Sequence, residues 1–313
     1  EEKAPSAPSF KLGKEFRAAV GPAQAAIKAG DLPGAGAKLQ AAEAVAAAPD
    51  EKYVLNAVRL ELGQAMKDNK VMAQAVEGMI ASGSAPANDL PRLNFFAGNF
   101  AYQAQDFAKA ATFLGEADKL GYNNTDLYLL LAESHFKLNQ VPQGLPFVDK
   151  AISAATAAGQ KAPESWYARA ASVAYKAKLN GDVAKWTRMQ VKAYPTAENW
   201  RSALVIYRDS AKLEGQLALD LMRLMRVTKS LAGERDFFEY ASLATERALP
   251  GEAKSAIEEG YASGAVARSS RAVGEMLTVA NGKIPGDPAS LEASEKQEAS
   301  AANRRPESGT AED

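Results

Sequence analysis

Residues 92–121 read RLNFFAGNFAYQAQDFAKAATFLGEADKLG. Leu93, Phe96, Ala97, Phe100 and Ala101 fall at i, i+3, i+4, i+7 and i+8, the spacing of one helix face. Gln105-Asp106 interrupts that stripe. Ala110, Phe113, Leu114 and Ala117 then make a second stripe, with Gly121 placed to cap its end. Two short amphipathic helices joined by a tight turn form a hairpin. Residues 126–156 repeat the pattern: Leu127, Leu130, Leu131, Ser134 and Leu138, then Leu145, Val148, Ala151 and Ile152.

The same turn chemistry recurs outward from this segment. Stretches begin at Gly30-Asp31, Gln105-Asp106, Asn139-Gln140 and Ala248-Leu249, with weaker copies at Asp68 and Lys178. The small or β-branched residues next in line, Ala35, Ala73, Ala110, Gly144 and Val183, are spaced by 38, 37, 34 and 39 positions. Ala253 lies 70 further on, the length of two more units. A fixed period of this size marks a chain of stacked supersecondary units. No segment alternates long enough to predict a strand. Composition agrees: there are 65 alanines, and aromatics are only 8% of the chain. Alanine favours helix and allows close helix approach.

Units of about 34 residues with small residues at fixed places resemble the tetratricopeptide-repeat superfamily, in particular an exported bacterial member. The residues that carry the resemblance are Asn94, Ala97, Gly98 and Ala101 with Ala110, Leu114 and Ala117. A second set is Tyr128, Leu131, Ala132 and His135 with Gly144, Val148 and Ala151. Tyr167, Ala170, Ala171 and Ala174, closing at Tyr194-Pro195, make a third. The unit around Ala35 fits in its second helix but holds Pro22 in its first, and the units around Ala73 and Trp200–Arg226 are degenerate. The resemblance implies an all-α, right-handed solenoid of about seven hairpins over residues 13–280. Residues 1–12 are expected to be a disordered N-terminal segment, and residues 281–313 a disordered polar tail.

The sequence excludes several chemistries. The net charge of −1 lacks the basic excess of a nucleic-acid binder. With no cysteine there are no disulfides, thiolate nucleophiles or Cys-ligated zinc. The longest apolar run, Leu127 to Ala132, is far short of the ~20 residues of a membrane span. His135, the single histidine, is expected to face its own hairpin partner. Ser134-x-x-Lys137 has the spacing of a serine nucleophile motif but no companion motif. Trp166, Trp186 and Trp200 are expected in the core, and Glu258-Glu259 on a solvated helix exterior. No catalytic, cofactor-binding or metal-binding residue is predicted, and no cofactor.

In the resembling family the first helices of the hairpins line a concave groove. Carried over by position, that groove would hold Arg92, Phe95, Asn99, Tyr102 and Gln103. From the next units it would hold Asp126, Glu133, Phe136 and Lys137, then Tyr175, Lys176, Arg201 and Arg208. Rings mixed with single charges and amides suit a peptide, since rings supply area and polar groups fix register. The resulting expectation is a non-catalytic scaffold or assembly factor that binds another protein or peptide of an envelope complex through this groove. The polar, proline-rich opening EEKAPSAPS leads to a periplasmic expectation. The alternatives are a cytosolic regulatory or co-chaperone module, and an accessory subunit of an envelope enzyme.

Overall fold

A computed structural model describes residues 9–211 and 213–284. Among them fifteen helices form, with no strand: α1 Lys14–Lys28, α2 Leu32–Val45, α3 Pro49–Met66, α4 Asn69–Ala81, α5 Leu90–Gln103, α6 Phe107–Lys119, α7 Thr125–Lys137, α8 Val141–Ala157, α9 Glu164–Lys176, α10 Asn180–Ala193, α11 Ala197–Ala211, α12 Gly215–Val227, α13 Gly233–Glu246, α14 Pro250–Ala262 and α15 Arg271–Lys283. The described residues divide into two compact units, with the division in the chain between Trp166 and Tyr167.

The repeated turn has a physical cause. Gly30, Lys67, Gln105, Asn139, Lys178 and Ala248 all have positive φ. Each comes after a first helix and lets the next backbone N–H reach five residues back. Asp31 N–H thus bonds Ala26 O at 3.0 Å, Asp68 bonds Gly63 O at 2.9 Å and Asp106 bonds Ala101 O at 2.9 Å. This is a Schellman closure of a helix C-terminus. The residue that ends one helix then caps the next: Asp31, Asp68 and Asp106 accept from the N–H groups of Gly34, Lys70 and Lys109 at 3.0, 2.9 and 3.1 Å. Hairpin α11–α12 departs from this, with Gly215 at φ 59° as the first residue of its second helix.

Within the first unit each helix packs on its chain neighbours, and first helices also touch, α1 on α3 and α5 on α7. Alanines let them do so: Ala23, Ala35, Ala42, Ala97, Ala110, Ala117 and Ala151 are fully buried. In the second unit a core of Leu219, Met222, Met225, Phe237, Tyr240 and Ile257 joins α12, α13 and α14. α15 closes onto it through Val273 and Ala280.

Both expected boundaries shift among the described residues. Phe10 stacks on Tyr53 at 4.8 Å, and the N–H groups of Lys11 and Gly13 bond Asp50 and Glu51 at 2.7 and 2.9 Å, so residues 10–12 are held on α3. At the other end α15 runs through Asn281-Gly282 to Lys283. Residues 1–8 and 285–313, the remainder of the two expected disordered segments, lie outside the described residues. Pro22 does not break α1, which continues from Lys14 to Lys28.

Candidate functional site

Hairpin geometry decides which first-helix positions stay open. Helices in a hairpin approach closely where one side chain is missing. At Gly98 of α5 a Cβ would lie 2.5 Å from Leu114 Cγ of α6, and at Gly144 of α8 it would lie 2.5 Å from the Phe136 ring of α7. Phe136 therefore fills its own hairpin and is only 8% exposed, which removes it from the expected groove. Phe95 is likewise 9% exposed and stacks on Tyr122 at 4.8 Å. Both rings are long enough to turn from the first-helix face into apolar space.

The remaining expected residues of the first unit stay accessible or half-buried, and four of them fall in two groups. Asn69 Nδ2 donates to Gln103 Oε1 at 3.0 Å, and Gln103 Nε2 donates to Asn99 Oδ1 at 3.4 Å. The Tyr102 ring sits edge-on to Phe107 at 5.4 Å, and Lys137 Nζ lies 6.0 Å from the Phe107 ring centre. Arg92 is exposed beside Asp89 at 3.6 Å. Asp126 is exposed in the first turn of α7, where a carboxylate faces the positive helix end. Glu133 is half-buried in α7.

Asn69 and Phe107 are not among the expected groove residues. Each comes directly after the turn aspartate, Asp68 or Asp106, and each meets position 103 or 137, one repeat apart. The turn motif marks them.

In the second unit Tyr175 and Lys176 are exposed at the end of α9, Tyr175 by 73%. Arg201 and Arg208 are two turns apart on α11, and both are engaged by acidic groups of the next first helix, α13. Arg201 donates to Ser230 O at 2.9 Å and pairs with the buried Asp236 of α13. Arg208 lies 3.8 Å from Asp236 and 3.3 Å from Glu239. They tie one first helix to the next. A second network joins α12 to α14: Arg223 grips Glu252 through two bonds of 2.7 and 2.6 Å, and the Tyr240 hydroxyl donates to Glu252 at 2.8 Å. Burial and the adjacent Glu252 carboxylate push the Tyr240 phenol well above its usual range, so it stays a donor. Glu259 also belongs here, accepting from Arg226 at 2.6 Å rather than standing on a solvated exterior.

The side chains that match fragments of chemical motifs are held structurally. Ser134 is fully buried and its hydroxyl donates to Leu130 O at 2.7 Å. His135 Nδ1 lies 2.8 Å from Gln140 Oε1, and its ring stacks on Phe147 at 5.7 Å. Trp186 is fully buried, while Trp166 and Trp200 pack partly buried against core clusters. Among the described residues no group of three His, Asp or Glu is placed to hold a metal ion. No described helix is long and apolar enough to cross a membrane.

No protein-family model and no curated protein matches this chain. Solved structures similar to it include the MamA protein at 12% identity, covering 63% of this chain and 94% of that one, with a TM-score of 0.38. A tetratricopeptide repeat protein from Parabacteroides merdae shares 10% identity over 86% of this chain and 99% of that one, with a TM-score of 0.37. YrrB, described as a TPR protein with an unusual peptide-binding site, shares 14% identity over 57% of this chain and 84% of that one, with a TM-score of 0.37. On its own geometry, of helix pairs closed by a recurrent turn and crossing at small residues, the fold is an all-α array of tetratricopeptide-like hairpins.

Proposed function

We propose that this chain is a non-catalytic scaffold that binds a segment of another protein on the first-helix face of its first unit. One observation carries the reading. The first-helix residues that hairpin packing leaves over are a strip of amides, one tyrosine edge and single charges: Asn99, Gln103, Tyr102, Asp126 and Lys137. Amides give and accept hydrogen bonds to a peptide main chain, and the Tyr102–Phe107 pair offers ring area at low entropy cost. The working location we propose is the bacterial periplasm, as part of an envelope complex. A chain without cysteine works there without redox chemistry.

The test is cross-linking in the native cell envelope, with mapping of the linked residues. Cross-links on α5 and α7 are expected, and the triple variant N99A/Q103A/K137E should reduce capture at least roughly tenfold with an unchanged melting temperature. Cross-links confined to other helices would remove this face from the function. A catalytic turnover that survives the triple variant would remove the scaffold reading altogether.

A further inference from the structure

Ahead of α1 the chain runs extended along the start of α3, in the manner of a bound peptide. Ser9, Lys11 and Gly13 are exposed, whereas Phe10 and Leu12 are half-buried. Successive side chains of an extended segment point to opposite faces, so this strap has one inner face with two side chains on it. Phe10 stacks on Tyr53 of α3 at 4.8 Å and joins the apolar cluster that Val76, Met79 and Leu93 build from α4 and α5. Leu12 packs on the neighbouring cluster, which holds Phe16 of α1 and Leu55 of α3.

The main-chain bonds alternate with these side chains. The N–H groups of Lys11 and Gly13, two residues apart, donate to Asp50 Oδ2 at 2.7 Å and Glu51 Oε1 at 2.9 Å. Two consecutive carboxylates of α3 thus hold backbone donors, which every residue but proline carries. The Lys11 N–H, the largest of several causes, holds the Asp50 carboxyl below the usual aspartate range, so it is an ionised acceptor at neutral pH. Selection falls on the inner positions instead: a ring for the Tyr53 face, and an aliphatic side chain two residues on.

This hold is reversible. Residues 9–13 belong to no helix, and the bond from Lys11 to Asp50 is exposed. Segments with few buried contacts and exposed bonds open at far lower cost than packed helices. Gly13 is the pivot: it is extended, at φ −66° and ψ 155°, and it caps α1. A Cβ there would lie 2.9 Å from Glu51 Oε1, so the pivot also has to be small. Release of the strap uncovers the Tyr53 ring, its apolar surround and the Asp50 acceptor together, which is the set that a second extended segment needs.

We propose that the α3 edge at Asp50 and Tyr53 is a binding site for an extended segment of a partner protein with an aromatic residue and, two positions on, an aliphatic one, and that residues 9–12 fill it until such a segment displaces them. None of its residues belongs to the first-helix strip proposed above, so the two readings fail separately. The probe is the strap as a free peptide, N-acetyl-Ser-Phe-Lys-Leu-amide, titrated into the full chain while the Tyr53 ring is followed by NMR. The tether keeps the strap at an effective concentration of roughly millimolar or more, so the wild type should bind the peptide weakly. Phe10→Ser, which removes the tethered ring, should bind it at least roughly tenfold more tightly. Lys11→Pro, which removes only the N–H that Asp50 accepts, should bind it roughly threefold to tenfold more tightly. It changes an exposed position and should keep the melting temperature, so it reports on the site even where Phe10→Ser loosens the fold. The peptide with alanine in place of phenylalanine should give no saturable shift. Equal affinity in the wild type and both variants would show that the strap does not occupy the site. No saturable shift in either variant would show that the site takes no separate segment, and undiminished binding of the alanine peptide would show that the ring is not the anchor. Each of these results overturns the proposal.

Discussion

Hairpins α3–α4 and α5–α6 are neighbours in one unit, and they cross closely by opposite means. In α5–α6 the first helix gives up its side chain: Gly98 receives Leu114. In α3–α4 the second helix does: a Cβ on Gly78 would lie 2.4 Å from Asn56 Oδ1. Lower in the same hairpin the order reverses again, with Gly63 of α3 against Met72 of α4 at 2.9 Å. Close approach needs one small partner in each facing pair, and it is indifferent to which helix supplies it. The consequences are not alike. A leucine fills its glycine's space with carbon, whereas Asn56 brings a buried amide that must be hydrogen-bonded and lines a cleft.

The contrast between the hairpins should break most visibly at Gly98. A Cβ there would meet Leu114 Cγ at 2.5 Å and the Leu114 backbone N at 3.0 Å. Gly98→Leu should cost about 3 kcal/mol, the upper end of overpacking, read as a lowered urea midpoint. Helix propensity alone favours Gly98→Ala by about 1 kcal/mol. The contact with Leu114 reverses that sign, because backbone lies behind the side chain, and a net loss of about 1 kcal/mol is expected. Unchanged midpoints for both variants would show that α5 and α6 do not cross there.

A smaller effect is expected at Gly78, where the obstacle is a side chain. Gly78→Ala should cost about 1–2 kcal/mol by forcing Asn56 off its bonds to Lys52 O and Arg59. In the Asn56→Ala background the same change should cost nearly nothing. A double-mutant cycle measures this coupling, expected at about 1 kcal/mol. Additive changes would mean that Gly78 and Asn56 do not meet.

The helix starts sharpen the contrast by pH. Glu51 of α3 accepts from the N–H groups of Gly13, Ala47 and Ala48 at 2.9, 3.0 and 3.0 Å. α5 starts at Asp89 with no side-chain cap bond. The N–H bonds from Ala48 first, and Gly13 next, hold the Glu51 carboxyl below the usual glutamate range. A depressed value means that the unfolded chain takes up the proton first as pH falls. The stabilisation is therefore complete above the unfolded value, roughly pH 4.3, and is lost as pH drops through the lower folded value. Hydrogen exchange at Gly13, Ala47 and Ala48 should show the wild type better protected than Glu51→Gln at neutral pH. The gap should close on acidification. A gap that is constant with pH would show that the charge plays no part.

The same geometry explains which hairpins are legible in the sequence. Gly98 and Gly144 stand at their family positions, so the two central hairpins can be read directly. The period puts the anchor of α4 at Ala73, but that residue is half-buried, and the contacts run through Gly63 and Gly78 instead. A rule that demands a small residue at one fixed place misses a hairpin that moves it to the facing helix. Position alone puts Phe95 and Phe136 on the open face, yet a ring can turn about its Cβ into the nearest apolar space. Arg201 and Arg208 read as groove cations because their acceptors lie on the next first helix. Asp236 is 35 residues beyond Arg201 and Glu239 is 31 beyond Arg208, close to one repeat, so the period itself holds that pairing.

The smallest effect concerns the joint between the two hairpins compared. Glu77 of α4 and Lys109 of α6 approach to 2.6 Å, with their side chains 31% and 42% exposed. Water screens a pair this open, and holding two long side chains in register costs entropy. Glu77→Gln should therefore lower stability by no more than about 0.5 kcal/mol, and less at high salt. The pair acts instead on what lies between the helices: it closes the α4–α6 joint, where the α2–α4 joint has no counterpart among the described residues. Introducing a lysine on α4 toward Glu43, as Ala81→Lys, should likewise leave the melting temperature within a degree or so. A stability change as large as that of a buried pair at either joint would mean that the second helices lie closer together, and drier, than their exposed side chains indicate.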